Sequence, residues 1–355
     1  MNPSSAHRPA RGLSLVELMV AIAVSLVLLA GVYQIYMATK TSYRMDEGLA
    51  RLQENARFAL EFLARDIRMA GYMGCYTGAP GSVESILAST DFAWDFGKPV
   101  EGHEYTGSGG SADTDWNPSL GGTPLSGKVS AYSDVVIVRR MAGNGVRLVP
   151  PYSDSAQLFI DPAYSSLFQI GDILMVTDCT KASIFQATNI QPAGGKINVV
   201  HSAAGTVAPG NSTPLLGNSY GADAEVAKFI THAYFVGPGV NGPALMRARL
   251  QNSSGTATTT IEELVEGVES LQVLYGVDSD GDGVPNQFLE RDAVTDMADV
   301  VAVRVGLLLR TPEEVPKASA APSTTLLGES ITPSAPDRRL RRTAVVTVGI
   351  RNRLP

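Results

Sequence analysis

Residues 12–37 read GLSLVELMVAIAVSLVLLAGVYQIYM. This segment is long enough to cross a membrane, because a hydrocarbon core of about 30 Å needs about 20 apolar residues in a helix. One carboxylate, Glu17, lies near its start. A charged group at the edge of such a segment is costly and is retained where it finds a partner, so Glu17 marks a functional site.

The polar residues before this segment predict its orientation in the membrane. Residues 1–12 carry Arg8 and Arg11 and no acid, so the positive-inside rule keeps them in the cytoplasm. A secretory signal would be cleaved after the apolar stretch, and residues 33–42 offer no convincing small-x-small triplet. The sequence therefore predicts a single-pass membrane protein with a cytoplasmic N-terminus and an extracytoplasmic C-terminal body.

The string GLSLVE, residues 12–17, resembles the processing site of type IV prepilins. In that class a membrane peptidase cuts after the glycine and methylates the new amino terminus. The resemblance implies that the membrane is the bacterial inner membrane and that the body is periplasmic. Leu13 would then be the first mature residue and Glu17 the fifth. The new α-amino group can pair with the Glu17 carboxylate of a neighbouring subunit where the dielectric constant is low. A plain anchor with an interfacial glutamate is the alternative.

The helical pattern continues beyond the membrane segment. Apolar residues recur at steps of three and four, which predicts an amphipathic helix with one apolar stripe. The stripe consists of Met45, Leu49, Leu52, Ala56, Leu60, Leu63, Ile67 and Ala70. With Gly71 as the stop, residues 14–70 are predicted to form one helix of about 85 Å. Its membrane half is residues 13–37 and its amphipathic half is residues 38–72.

Residues 73–355 change to loops and short strands. Turns between the strands predict a mostly antiparallel sheet, so the predicted fold class is α+β. Residues 78–130 and 311–337, rich in small residues and proline, are expected to be loops, with Trp94 and Trp116 as isolated anchors in the first. The predicted strands are Asp134–Arg140, Gln157–Ile160, Asp172–Thr177, Ala182–Thr188, Ile197–Val200, Val226–Val236, Ala244–Gln251, Leu271–Val277, Val300–Arg310 and Ala344–Arg351.

Charge and cysteine content narrow the function classes. The net charge is −7, so nucleic acid is not expected as the main ligand. The chain has two cysteines, Cys75 and Cys179, and an oxidising compartment favours a single disulfide. It would close a loop of roughly a hundred residues and contribute about 2–4 kcal/mol. Zinc is not expected, because no histidine lies near either cysteine.

The acidic string DSDGDG, residues 278–283, begins like a calcium-binding loop. Carboxylates at alternate positions before a glycine suit a hard cation, and Asp278, Asp280 and Asp282 would be its ligands, with Asn286 completing the set. Position twelve of such a loop is Leu289 here, where a bidentate glutamate is expected. A solvated acidic hairpin turn is the alternative, because Asp-Gly is a common turn dipeptide.

Three further features of the sequence could indicate function but have simpler structural explanations. Residues 217–221, GNSYG, satisfy a hydrolase pattern but lack the preceding buried strand, so a glycine-rich loop explains them better. The four histidines show no metal spacing. Residues 338–342 hold four arginines that could touch a partner or lipid headgroups, and a solvated strand edge guarded by charge is the other account.

Several strings resemble the PilW family of type IV pilus minor pilins. They are LQENARFAL at residues 52–60, RDIRMAGY at 65–72, Asp178-Cys179, YGVD at 275–278 and VRV at 303–305. The resemblance covers most of the chain after residue 12 and is weakest in residues 78–130 and 311–337. The leader motif alone identifies only the wider class of pilins and pseudopilins.

The resemblance implies a non-catalytic subunit that helps to start pilus assembly at the inner membrane and remains near the fibre tip. Its implied partners are prepilin peptidase, other minor pilins, the major pilin, a tip adhesin and membrane lipid. Gly12 and Leu13 carry over as the processed bond, Glu17 as the assembly carboxylate, and Cys75 with Cys179 as the stabilising bridge. Two alternatives stay open: a minor pseudopilin of type II secretion, and a membrane-anchored periplasmic enzyme or adhesin.

Overall fold

The computed structural model describes residues 14–78, 82–89, 92–143, 145–152, 155–203, 208–253, 256–315, 323–332 and 337–353. In these residues it has one α-helix, α1 (Leu15–Arg68), followed by strands. The strands are β1 (Glu84–Ser85), β2 (Val100–Tyr105), β3 (Trp116–Asn117), β4 (Val135–Met141), β5 (Val146–Arg147), β6 (Gln157–Ile160), β7 (Ile173–Thr177), β8 (Ala182–Gln186), β9 (Asn189–Ala193), β10 (Lys196–Val200), β11 (Glu225–Gly239), β12 (Gly242–Ser253), β13 (Thr256–Glu266), β14 (Val268–Val277), β15 (Gln287–Leu289), β16 (Val300–Arg310), β17 (Thr324–Leu326), β18 (Glu329–Ile331) and β19 (Arg341–Gly349). The predicted α+β class is confirmed.

Helix α1 is continuous over 54 residues, as the apolar spacing predicts. Its buried face begins at Leu52 and includes Ala56, Leu63 and Ile67. Ala59, which the stripe did not include, is buried as well. Met45 and Leu49 belong to the predicted stripe but stay exposed, because they precede Leu52, where the buried face of the helix begins.

The C-terminal end of α1 lies slightly before the predicted stop. The last helical residue is Arg68, and the backbone N–H of Met69 caps the final turn. Gly71 follows with a φ of +71°, the left-handed conformation that favours glycine. A side chain at this position would also press against Pro99, 3.2 Å from the site of its Cβ.

The helix packs on a four-stranded antiparallel sheet with the order β15-β14-β16-β19. Strand β16 is nearly continuous in apolar residues because both of its faces are covered. Val303, Val305 and Leu307 share a core with the helix, whereas Leu308 lies under the β17–β18 hairpin. The C-terminal half of α1 is thus an integral part of the domain's main core.

A second, larger sheet has the order β1-β8-β7-β11-β4-β2-β3, and β12 and β13 extend from β11. Strand β11 is fifteen residues long and pairs with β4, β5, β7 and β12. Its first half contributes Val226 to a separate core with Phe185 and Val199, and its second half contributes Tyr234 to the helix core. Pairing is antiparallel except for β1 with β8, so the mostly antiparallel prediction is confirmed.

The expected loop over residues 78–130 needs correction. Strand β2 lies within it and pairs with β4 and β3. Trp94 and Trp116 are buried, and the indole N–H of Trp116 donates to the Ser133 carbonyl at 2.8 Å. The glycine-rich composition predicts turns correctly but conceals how much apolar surface the segment contributes to the core.

All ten predicted strands appear, and each observed end lies within three residues of its predicted position. Strands β2, β9 and β13 were not predicted, because their sequences mix charged, polar and glycine or proline residues and lack a clear apolar alternation. Residues 311–337, expected to be a loop, contain the β17–β18 hairpin, where Leu326 and Ile331 are buried on Leu308.

Candidate functional site

The first half of α1 is an apolar rod that no part of the described domain covers. Side chains from Leu15 to Met37 are exposed, among them Leu28 at 65%. The helix is long and apolar enough to cross a membrane. Leaving a side chain of this size in water costs about 1.5–3 kcal/mol relative to burying it. This surface therefore requires lipid or other protein around it.

Glu17 closes the N-terminal turn of this rod. Ser14 is the N-cap, and its hydroxyl accepts the backbone N–H of Glu17 at 3.2 Å. The Glu17 carboxylate in turn accepts the backbone N–H of Ser14 at 2.9 Å. This reciprocal pair is a capping box, and the positive end of the helix dipole also favours the carboxylate.

The geometry leaves the Glu17 carboxylate accessible to another subunit. The side chain is exposed and makes no ion pair among the described residues. A positively charged amine brought close by a neighbouring helix would find an acceptor already held at the helix start. Gly12 and Leu13, the predicted processed bond, lie outside the described residues.

Asp66 attaches the other end of the helix to the sheet. Its carboxylate accepts Arg140 Nη2 at 2.8 Å, His232 Nδ1 at 2.5 Å and the Tyr234 hydroxyl at 2.5 Å. Burial opposes ionisation, but the bonds from His232 and Tyr234 and the charge of Arg140 outweigh it and hold the pKa of Asp66 below its usual range. The helix is thus joined to β4 and β11 through one ionised group.

Sequence reasoning quoted Asp66 within a family string and gave it no role. The available signal was its position between Leu63 and Ile67 on the buried face of a helix that is otherwise apolar there. An acid at such a position requires partners, because a buried carboxylate is otherwise strongly destabilising. The partners themselves come from strands more than 70 residues away in the sequence.

The helix leaves the domain at Gly48. A Cβ at this position would lie 3.1 Å from the Thr311 methyl group. Thr311 is itself fixed, because its hydroxyl donates to the Glu313 carbonyl and accepts the Leu340 N–H. Gly48 therefore allows the closest approach of helix and domain at the point where the rod becomes free.

The disulfide between Cys75 and Cys179 lies just beyond the helix end. It joins the segment after α1 to the turn between β7 and β8 and closes a loop of 104 residues. The Asp178 carboxylate organises the same turn by accepting the backbone N–H groups of Thr180 and Lys181. The bridge thus ties the end of the helix to the β7–β8 end of the larger sheet.

The acidic turn after β14 brings the four predicted calcium ligands together, since Asn286 Nδ2 donates to Asp280 Oδ2 at 3.2 Å. One carboxylate oxygen from each of Asp278, Asp280 and Asp282 lies within 4.8 Å of the others. The fourth, Asn286, uses its oxygen to accept the Ser279 backbone N–H at 2.6 Å, which closes the turn. Three carboxylates supply part of the six to eight oxygens that calcium takes. Calcium binding at this turn stays a prediction, beside the solvated-turn alternative.

The hydrolase-like string lies at a shallow surface cleft of about 230 Å³. Ser219 lines it beside Tyr220, whose hydroxyl pairs with Ser183 Oγ at 2.6 Å. Among the described residues Ser219 makes no hydrogen bond to a histidine, and His232 is bound to Asp66. Nothing in this arrangement favours nucleophilic catalysis over a glycine-rich loop.

Two family models match the chain, at its two ends. The prokaryotic N-terminal methylation motif matches residues 7–33, and type IV pilus-assembly protein W, or PilW, matches residues 233–352. The chain therefore resembles type IV pilin-like proteins in two separate segments, a methylation motif at its start and a PilW-like region in its C-terminal third. The methylation-motif match covers most of the apolar rod, and the PilW match covers the strands from the second half of β11 to β19.

A comparison with curated proteins finds no match. Among solved structures, a type IV-like pilin from Thermus thermophilus aligns with 11% identity and a TM-score of 0.34, covering 86% of this chain and 98% of that chain. The motif and the apolar helix together indicate membrane anchoring.

Proposed function

We propose that this protein is a minor pilin that primes assembly of a type IV pilus and is incorporated near its tip. In this proposal prepilin peptidase cuts between Gly12 and Leu13 and methylates the new terminus. The subunit then waits in the inner membrane, with residues 38–72 of the helix and residues 73–355 in the periplasm. It is later extracted to pack beside other minor pilins, the major pilin and a tip adhesin.

The observation that supports this function best is the uncovered apolar rod. A domain that needed only an anchor could use any membrane helix, whereas here the rod begins at an N-terminal methylation motif and continues directly into the core of a PilW domain. One rigid element therefore connects the membrane segment to the folded body. Extraction of the rod moves the body with it.

In this proposal, Glu17 makes packing among other pilin helices more favourable than staying alone in the lipid. In lipid, a carboxylate with only the Ser14 backbone as a partner remains costly. The α-amino group of a neighbouring subunit would neutralise it in a low-dielectric environment, and this gain exists only when helices are packed together. No step in this function requires bond-making chemistry in the periplasmic domain.

The test is a count of pili in cells that carry Glu17→Ala. We expect at least a tenfold loss of pili, with normal amounts of the protein in the membrane, because Glu17 lies far from the folded core. Glu47→Ala is the matched control, since Glu47 lies on the same helix, is exposed and pairs only with Arg51. Normal pili in the Glu17→Ala strain would refute the assembly role.

Mass spectrometry of the mature protein tests the processing step separately. A methylated Leu13 is expected. An intact Met1, or a terminus beyond Met37, would favour a membrane-anchored periplasmic enzyme or adhesin. A methylated Leu13 in a protein that co-purifies with a type II secretion apparatus and is absent from pili would instead favour a minor pseudopilin.

A further inference from the structure

Strand β19 is a long edge strand that, among the described residues, has a neighbouring strand on one side only. It pairs with β16 over all nine of its residues without a bulge, and no other strand in the described structure pairs with it. Its inward side chains, Ala344, Val346 and Val348, pack in the helix core. An uninterrupted edge of this length is a ready template for another strand.

The hydrogen-bond register shows which backbone groups face outward. Ile350 N donates to Val301 O, and Thr311 N donates to Leu340 O, which places the even-numbered residues of β19 in the bonds with β16. The N–H and C=O groups of Thr343, Val345 and Thr347 therefore point away from the sheet. None of these groups has a backbone partner in the part of the chain that the structure describes.

The other edge strands of the two main sheets are either short or partly covered by the helix. Strands β15, β1 and β3 end the two main sheets with three, two and two residues. Strand β13 is longer, but α1 lies against its end, where Asn55 Nδ2 donates to the Glu266 carbonyl at 3.2 Å. Short edges and covered edges are the usual protections against strand addition; β19 is nine residues long, and no other described strand pairs with its outer edge.

The charge around β19 indicates what would bind there. Residues 341–353 contain four arginines and no acid, in a chain whose net charge is −7. Arg341 is committed to Glu269 and Asp337. Arg342, at the start of the strand, and Arg351, just beyond its end, are exposed. A complementary strand would therefore carry acidic residues at its ends and β-branched residues opposite Val345.

A second copy of this chain does not fit that edge. Antiparallel pairing of two β19 strands relates the copies by a twofold axis normal to the sheet, and this axis reverses the direction of the helix that lies on the sheet. Two such helices could not enter one membrane in the same orientation. Parallel pairing in register would place Arg342 beside Arg342, and like charges on neighbouring strands are destabilising.

We propose that the outer edge of β19 receives an acidic, extended segment of a different pilin subunit, which adds a fifth strand to the sheet. This inference rests on the proposed function, because it takes the partner from the same assembly. The helix packs on β16 and β19, so a strand added at this edge would join the body of a neighbour beside the helix that assembly buries. Main-chain bonds would provide affinity, and the arginines would provide selectivity.

The test is site-specific photocrosslinking of the full-length protein in piliated cells. A photoreactive residue is placed at Val345, which is 49% exposed, or at Val240, an exposed turn residue that serves as the control. We expect one product from position 345, in which mass spectrometry identifies an acidic segment of another pilin subunit, and no such product from position 240. Arg342→Glu should reduce the product at least tenfold, whereas Arg147→Glu should leave it unchanged.

Thr347→Pro provides a second variant that preserves the ladder with β16. It removes one outward N–H, and proline is tolerated on strand edges, so the protein should accumulate normally while the product falls at least tenfold. A product with a second copy, or no product, would overturn the proposal, as would an unchanged yield in Arg342→Glu. If one of these crosslinking results is obtained but Glu17→Ala cells still lose their pili, only the strand-addition proposal is rejected and the minor pilin function stands. If Glu17→Ala cells have normal pili, the minor pilin function itself is rejected.

Discussion

The two halves of α1 belong to the same helix, but their apolar side chains are removed from water in different ways. From Leu52 onward the helix buries one face in the sheet and ends in a network of charged and polar groups around Asp66. From Leu15 to Met37 it is apolar around its circumference apart from a few residues such as Glu17, and the described part of the domain covers none of it. The first arrangement is complete within one chain, whereas the second is complete only in lipid or among other helices.

Because of this difference, substitutions in the two halves of the helix should affect different processes, folding in one half and assembly in the other. Substitutions in the buried half should change the free energy of unfolding, because they alter contacts within the chain. Substitutions in the exposed half should leave that free energy unchanged and act on membrane insertion and fibre formation. The boundary at Gly48 is where one kind of effect should give way to the other.

Asp66→Ala should have the largest effect on folding. It leaves Arg140 and His232 partly buried without their shared carboxylate, and breaking such a site typically costs about 3–5 kcal/mol. Urea unfolding of the full-length protein in detergent measures the change. Asp46→Ala, at an exposed position on the same helix, is the control and should alter the free energy of unfolding by less than about 0.5 kcal/mol. Equal effects at the two positions would contradict the attachment role of Asp66.

Leu63→Ala and Leu28→Ala form a matched pair across the boundary. Leu63 is fully buried, so its truncation leaves a cavity and should cost about 2–5 kcal/mol. Leu28 is exposed, so the same truncation should change the free energy of unfolding in detergent by less than about 0.5 kcal/mol. A large loss in Leu28→Ala would mean that the rod packs on the domain, contrary to the structure.

The sequence was sufficient to predict the helix and most of the long strands of the sheets. Steps of three and four from Leu52 to Ile67 define the buried face, and the run Val300–Arg310 defines the central strand, because these signals are local. The network around Asp66 was not predictable in the same way. Its partners lie in β4 and β11, and only the three-dimensional fold brings them to the helix.

The free edge of β19 was only partly visible in the sequence. The arginine cluster suggested a strand edge guarded by charge, and an edge strand is what the structure shows. However, which backbone groups face outward depends on register, and one residue of slippage exchanges the inward and outward sets. Strand β13 was missed for another reason: it forms an eleven-residue strand, but its apolar and polar residues do not alternate clearly.

Mild acid should produce the smallest of the three effects and act on the buried half alone. The folded pKa of Asp66 is below its ordinary value, so its ionised form stabilises the protein above the unfolded pKa of about 4. This contribution is lost as the pH falls from about 4 toward the folded pKa. The difference in free energy of unfolding between the wild type and Asp66→Asn should therefore shrink by about 1 kcal/mol between pH 6 and pH 3. If the difference grew on acidification, the sign of the shift would be wrong, and the helix would be held by a neutral carboxyl group.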